Sequence, residues 1–494
     1  MNQYLLAIDQ GTTSSKALIM DTELNELAKK NISFEQYFPK PGWVEHDLNQ
    51  IWGSVVQSIQ AVTFDLDASR ISAIGITNQR ETICFWDRKT QEPLAKAIVW
   101  QDRRTADRCE ELRKKGWEDV LQKKTGLMFD PYFSGTKIEW MLKNNATVAE
   151  AQRNGTLCVG TIESFLLFKL TGGVNHLTEP SNASRTLLYN IEKKAWDKEL
   201  IELFGIDPNI LPEVRPSFGG FGRTKGLKNI PDGIPISGMI GDQQAALLGQ
   251  AAVHKGRAKC TFGTGAFLLV NTGKEFKLSK NRLLSTIAWM EQNGDTTYAL
   301  EGSVFMAGAT IQWLRDGLQI INNSSEVEDL ANSVASTDGV MMVPAFTGLG
   351  APYWQPHARA LICGLTRGST KAHIARAALE GIAFQNVDIL EAMEADLGHA
   401  IESLSVDGGA CTNNLLMQMQ SDFLGVKLKR PVFTETTSLG AIFAAGLGAG
   451  LWRELTDIEK VWKLEKEFSP KLSSFNKANR LQEWRRAVEL AKIK

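Results

Sequence analysis

An excess of charge of either sign is missing from this chain: 55 lysines and arginines stand against 56 aspartates and glutamates in 494 residues, a net charge of -1. That excludes a polybasic nucleic-acid or membrane-surface binder, whose affinity rests on uncompensated positive charge. Cysteine is scarce as well. The six (Cys84, Cys109, Cys158, Cys260, Cys363, Cys411) lie apart with no C-x-x-C pair, which argues against a zinc ribbon, a redox dithiol or a disulfide framework and fits a reducing cytoplasm. The six histidines form no metal-binding pattern. Long apolar runs are also lacking. The opening run Tyr4 to Ile8 is broken by Asp9 and follows no basic segment, so it is not a signal peptide. Leu439 to Leu451 is mostly Gly and Ala and too short to span a bilayer, so no integral membrane segment is expected.

What is present is ordinary globular material, 43% hydrophobic and 22% charged. The length is about three times the roughly 150 residues of a common domain, which implies two large domains or one divided core. Tyr4 to Ile8 and Lys16 to Met20 read as strands joined by the turn Gly11-Thr12-Thr13, with a third strand after Asp21. From Asp47, an N-cap, the residues Leu48, Ile51, Trp52, Val55, Val56, Ile59 and Val62 follow helical spacing, and Ile71 to Ile76 reads as a buried strand. The β-β-β-α-β order predicts a mixed sheet covered by helices. Lys259 to Gly273 restarts the same scheme, followed by helices near Ser303 to Leu318 and His373 to Met393, a strand Leu404 to Val406 and a helix opening at Thr412. The chain therefore divides into two related α/β domains, 1–250 and 251–494.

Three glycine turns end strands in these halves. In Asp9-Gln-Gly-Thr-Thr-Ser-Ser-Lys16, Gly11 lets the backbone approach an oxyanion, Thr12, Thr13 and Ser14 offer hydroxyl donors, and Lys16 adds positive charge. It is not a P-loop, because G-x-x-x-x-G-K-[ST] is absent and no helix follows directly. Asp9 either holds Mg²⁺, directly or through water, or closes an Asx-type turn. Gly263-Thr264-Gly265 offers the same means from the second half, and Asp407-Gly408-Gly409-Ala410 leads to Thr412 and Asn413 at a helix start. Together they describe a nucleotide in a cleft between two halves, as in the actin, heat-shock-70 and hexokinase fold, which is ribonuclease H-like.

Asp242, after the apolar run Ile236 to Ile240, is either the base that takes a proton from an acceptor alcohol or a cap of the next helix. Arg80 and Glu81 end the strand Ile71 to Ile76; a donor fork beside an acceptor can grip neighbouring hydroxyls of a polyol, or can form a simple surface pair. Trp100, Tyr132 and Phe267 are either apolar walls for substrate carbons or core.

These motifs are similar to those of the FGGY carbohydrate kinases over essentially the whole chain. Phe133 to Asn144 matches the first family signature, and Ala360 to Leu365 followed by His373 to Glu380 matches the second. Asp9 to Ser15, Pro39 to Asp47, Ile76 to Glu81, Asp130 to Lys137, Gly241 to Leu247 and Pro344 to Trp354 resemble the branch whose substrate is glycerol. The resemblance implies transfer of a phosphoryl group from ATP, with Mg²⁺, to a terminal hydroxyl of glycerol, with Asp242 as catalytic base. It further implies that Arg80, Glu81, Tyr132, Asp242 and Gln243 hold the triol and that Trp100 and Phe267 lie against its carbons. Thr12, Thr13, Ser14, Lys16 and Thr264 would meet the phosphates, Gly308, Gln312, Gly409 and Asn413 would surround the adenosine, and Asp9 and Asp242 would be near the metal. A cytoplasmic homo-oligomer, dimer or tetramer, is the implied state.

Three departures stand out. Lys16 replaces a common arginine, and Glu163 replaces a common aspartate. Gly226 to Pro235 lacks the arginine, and Pro470 to Asn476 the glutamate, of members inhibited by sugar bisphosphates and by a phosphotransfer regulator, so both inhibitions are expected to be weak or absent. Two rival readings remain: a kinase for another small polyol or dihydroxyacetone, and a catalytically idle nucleotide switch. Retention of Asp242, Arg80 and Glu81 weighs against the second.

Overall fold

The computed structural model describes residues 3–228, 230–355 and 357–493; within the loop Gly226 to Pro235, residue 229 lies outside them. The first apolar runs pair as an antiparallel hairpin, β1 (Tyr4–Gln10) and β2 (Ser14–Asp21), with Asp9 opposite Lys16. Next come β3 (Glu26–Ser33), β4 (Ile71–Asn78), β5 (Phe218–Arg223) and β6 (Pro235–Gly241), and the sheet order is β5-β6-β4-β1-β2-β3. β1, β4 and β6 are parallel, with Asp9 beside Thr77, Gln10 beside Asn78, and Asn78 beside Gly241. Three strands therefore end along one line, the edge where ligands gather in open α/β sheets. β3 closes the far side with an exposed Lys29-Lys30 pair, a charge placement that blunts pairing with another chain.

Helix α1 (Leu48–Thr63) begins where its cap predicts: the Asp47 carboxylate accepts from the Asn49 and Gln50 N–H groups. Its buried Leu48, Ile51, Val55, Ile59 and Val62 lie against one face of the sheet, each contributing about 1.5–3 kcal/mol of apolar burial. Beyond β4 the chain enters a smaller sheet built from 36–37, 45–46, 97–98, 83–87 and 157–161, backed by α2 (Ser134–Asn144). Residues 79–82 are the short link between the two sheets, which puts Arg80 and Glu81 at their junction. Helix α3 (Asp242–Gly249) follows β6 directly.

The second half has β7 (Ala258–Phe262), β8 (Ala266–Gly273), β9 (Leu284–Met290), β10 (Thr296–Val304), β11 (Ser403–Asp407), β12 (Lys427–Pro431) and β13 (Leu464–Phe468), in the order β9-β10-β8-β7-β11-β12-β13. Leaving out β9, the neighbours and directions repeat those of the first sheet: β7 and β8 form the hairpin, β11 and β12 lie parallel to β7, and antiparallel strands close both sides. The duplicated topology expected from the sequence is present. Around this sheet lie α4 (Gly308–Asp316), α5 (Lys371–Leu397) and α6 (Asn414–Leu424). Two starts differ from the spacing-based expectation. Ser303 and Val304 continue β10, delaying α4 to Gly308, and a 3₁₀ turn over Gly409–Thr412 delays α6 to Asn414, where Asn413 caps it.

Helix α7 (Thr436–Gly448) belongs to the second half by sequence but lies on the first sheet, against β1, β4 and β6 and beside α3. Glycine permits this closeness: a Cβ at Gly75 would stand 2.0 Å from the Ala441 carbonyl oxygen, and one at Gly440 1.9 Å from that of Ala245. Leu5, Ala7, Leu18, Met20 and Ile240 share a buried cluster with Leu439, Ile442 and Phe443. Among the described residues, no helix is long and apolar enough to cross a membrane.

Candidate active site

Arg80 and Glu81 occupy a tight turn in which the Thr82 N–H donates to the Arg80 carbonyl at 2.7 Å and Glu81 takes a left-handed φ of 61°. A side chain held there costs roughly 1–3 kcal/mol and persists only when its surroundings fix it. The surroundings do so. The Ser134 hydroxyl, at the start of α2, donates to the Glu81 carbonyl at 2.8 Å. Arg185 Nε donates to Glu81 Oε1 at 2.6 Å, and another Arg185 nitrogen donates to Glu301 Oε1 at 3.0 Å. Glu301 also accepts two bonds from Arg80, at 2.6 and 3.0 Å, and Arg80 Nε lies 3.8 Å from Glu81. Two arginines and two glutamates thus alternate in a closed, net-neutral ring with side chains no more than 1% exposed. Burial alone would raise the Glu301 carboxyl; Arg185 and Arg80 hold it down at about 2.

Asp242 hangs from this ring, its Oδ1 3.1 Å from Arg80 Nε, with its side chain 29% exposed. It is the first residue of α3, preceded by the cap position Gly241, and its own carboxylate accepts from the Gln243 N–H at 2.7 Å. Burial, opposed by Arg80 and reinforced by Glu81, pushes its carboxyl up to about 6. It is ionised at neutral pH yet basic enough to take a proton. Glu179 braces the loop from behind: it accepts from the Ser181 hydroxyl, whose oxygen in turn accepts from the Gly241 N–H at 2.8 Å. Gln243 donates to Asp242 Oδ2 at 3.3 Å and accepts at 2.6 Å from Lys259, a wholly buried lysine on β7 whose ammonium burial drives below its ordinary value.

The three aromatic residues lie in two places. Trp100 and Tyr132 meet edge-on at 5.7 Å, Trp100 Nε1 donates to the Thr12 hydroxyl at 2.9 Å, and Arg185 lies over the Tyr132 ring at 5.6 Å. One wall therefore joins the ring to the first hairpin. Phe267, partly buried on β8, pairs in the sheet with Thr261 and Ser303 and packs against the cluster containing Leu269 and Trp289.

At the first hairpin tip Gly11 N–H donates to the Ser14 carbonyl at 2.9 Å, leaving Thr12 and Ser14 half-buried and Thr13 exposed. Lys16 lies 3.6 Å from Asp9 and 2.8 Å from Glu435, just before α7; burial would lower its ammonium, but these two carboxylates raise it. Asp9 also accepts from the Ser438 hydroxyl at 2.7 Å. At the second tip Thr264 is exposed, its carbonyl accepts from the Ala307 and Ala309 N–H groups, and the Gly263 carbonyl accepts from Gly308 at 3.0 Å. A Cβ at Gly308 would lie 2.5 Å from that Gly263 oxygen. Gly308 is thus tied to the hairpin. Gln312 is exposed one turn on, and exposed Gly409 and half-buried Asn413 stand after β11, whose Asp407 pairs with Thr261.

Asp9 lies near the end of β1 and Asp242 just past β6, on strands separated only by β4 and so about two strand spacings or ~10 Å apart across the sheet. Among the described residues no three His, Cys, Asp or Glu side chains converge on a metal position. A hard cation that keeps most of its water and takes its remaining ligands from phosphates needs only one or two carboxylates, and this pair fits that demand.

Arg185, Glu301 and Lys259 are the participants that sequence reasoning missed. For two of them a signal existed. Glu301 and Lys259 are lone charges inside strands whose neighbours are buried, and such charges require partners.

Residues 4–249 match the N-terminal domain, and residues 258–449 the C-terminal domain, of the FGGY family of carbohydrate kinases. A glycerol kinase of Bdellovibrio bacteriovorus is 55% identical over 99% of both chains, and one of Deinococcus radiodurans is 51% identical over 99% of this chain and 98% of its own. The crystal structure of Plasmodium falciparum glycerol kinase with ADP superposes with a TM-score of 0.93 at 39% identity, covering 100% of this chain and 99% of that one. A xylulose kinase of Lactobacillus acidophilus, 22% identical with a TM-score of 0.87 over 99% of this chain and 97% of its own, shares the fold.

Proposed function

We propose, for a chain that belongs to the FGGY family of carbohydrate kinases and phosphorylates glycerol with ATP, that Asp242 is the general base and the charged ring its acceptor site. The observation that carries this reading is the Asp242 carboxylate: it is partly open, anchored by Arg80 at 3.1 Å, and has a pKa of about 6.

Arg80 and Glu81 bind adjacent hydroxyls of glycerol, one as donor and one as acceptor, with Tyr132 and Gln243 completing the polar contacts and Trp100 and Phe267 bordering the carbons. The terminal hydroxyl gives its proton to Asp242 as its oxygen bonds to the γ-phosphorus. The bond from that phosphorus to the bridging oxygen breaks, and ADP leaves with the electron pair. Thr12, Thr13, Ser14 and Lys16 contact the phosphates from one half and Thr264 from the other. Gly308, Gln312, Gly409 and Asn413 border the adenosine. Asp9 and Asp242 would hold Mg²⁺, which when bound neutralises phosphate charge.

The same reading places the division between halves near residue 250 and the enzyme in the cytoplasm as a homo-oligomer of two or four chains. Glycerol-dependent ADP formation by Asp242→Asn tests the central assignment. A fall in kcat of roughly 10²–10⁴ is expected with ATP binding retained; an undiminished kcat would remove Asp242 from the role.

A further inference from the structure

Arg185 has no role in the phosphoryl transfer described above, yet it touches two residues of the acceptor site, Glu81 and Tyr132. It donates to Glu81 at 2.6 Å and to Glu301 at 3.0 Å, and lies over the rings of Tyr132 at 5.6 Å and Phe133 at 5.2 Å. Its remaining buried nitrogen, Nη1, has no hydrogen-bond partner. Glu301 plays the matching part for Arg80, accepting one bond from Nη1, which also donates to Gln244, and one of the two that Nη2 can give, with Nε toward Asp242. Neither residue lies in the motif Ile76 to Glu81 or in Gly241 to Leu247; they are 104 and 221 residues from the groups they hold.

A buried ion network of this kind is weak evidence for stability, because desolvation offsets much of the attraction. What it supplies is direction. Glu81 sits on a left-handed backbone and has few ways to be held; Arg185 fixes its Oε1, and Glu301 fixes the Arg80 guanidinium from the opposite half of the chain.

We infer that Arg185 and Glu301 are positioning residues that set the spacing between the Arg80 donor and the Glu81 acceptor, and so select a small vicinal polyol. This rests on the acceptor-site reading above. Replacing Arg185 frees Glu81 to rotate, and the loss falls on recognition of the acceptor rather than on the nucleotide. Lysine keeps the charge but not the fork, so it restores only part of the function.

The test is steady-state ADP formation, with glycerol and ATP varied separately, for wild type, Glu81→Gln, Arg185→Met, Arg185→Lys, Glu301→Gln and the double variant Arg185→Met/Glu81→Gln. The expected result for Arg185→Met and Glu301→Gln is a glycerol KM raised roughly 10- to 100-fold, with the ATP KM moved less than about threefold. Arg185→Lys falls between Arg185→Met and wild type, and the double variant is no worse than its worse single parent. An unchanged glycerol KM in Arg185→Met, equal rises in both KM values, or effects that multiply in the double variant would each overturn the inference. If Arg185→Met does not fold, Arg185→Lys decides alone, and a wild-type glycerol KM there refutes the positioning role. If Glu81→Gln itself leaves the glycerol KM unmoved, the acceptor-site reading fails instead.

Discussion

The proposed acceptor side and the proposed nucleotide side of this site are built from different materials. Around Arg80 and Glu81 every participant in the ring is a buried, charged side chain held by at least two partners. Around the two hairpins the features are glycines, backbone groups, exposed hydroxyls such as those of Thr13 and Thr264, and one partly open cation, Lys16, paired with Asp9 and Glu435. A neutral triol offers little charge to grip, so discrimination requires directed groups fixed before it arrives. A triphosphate carries its own charge and needs close backbone approach. Errors in the first region should therefore be severe and specific to glycerol, and errors in the second mild and specific to ATP.

The contrast breaks most visibly at Arg80→Met. It takes the guanidinium from Asp242 and leaves Glu301 with Arg185 alone, which should cost about 3–5 kcal/mol of stability by denaturant unfolding, with little glycerol-dependent turnover left. Stability equal to wild type would mean the ring relaxes freely and is not the rigid element described.

A pH profile sharpens the same point. In its proposed role as base Asp242 must be ionised to accept a proton, and burial pushes its carboxyl up to about 6. The kcat/KM for glycerol should rise about tenfold per unit up to that pH and level off above it. The limb should persist unchanged in variants of the nucleotide hairpins and shift when Arg80, which lowers the Asp242 pKa, is replaced.

On the nucleotide side, Gly308→Ala drives a methyl group to 2.5 Å from the Gly263 oxygen. A displacement costing about 1–3 kcal/mol should appear as a roughly tenfold higher ATP KM with the glycerol KM unmoved. Lys16→Arg is the mildest expected change, within about threefold, because charge opposite Asp9 and Glu435 is retained. A large effect there would show that the compact ammonium itself is demanded.

The same division governs what the sequence disclosed. The hairpins, the α1 cap at Asp47 and the duplicated sheets follow from turn residues and periodicity, which act over a few neighbours. Arg80, Glu81 and Asp242 stood out because each ends a strand inside a recognisable motif. Arg185, Glu301 and Lys259 did not, since their roles exist only once residues more than one hundred positions apart meet, or, for Lys259, once β7 lies against α3. The placement of α7 was equally hidden: its sequence is mostly Gly and Ala from Leu439 on, and nothing local says which sheet it covers.

That placement also bears on the order in which the chain can be made. The strands of the first sheet are complete when residue 241 has been synthesised, whereas their covering helix begins at Thr436. At about 5–20 residues per second, the apolar face bearing Leu5, Ala7, Leu18 and Ile240 waits roughly 10–40 s for its partner. The growing polypeptide therefore passes through a long interval with one sticky surface bare, an interval in which a chaperone bound at the ribosome would serve as a temporary α7.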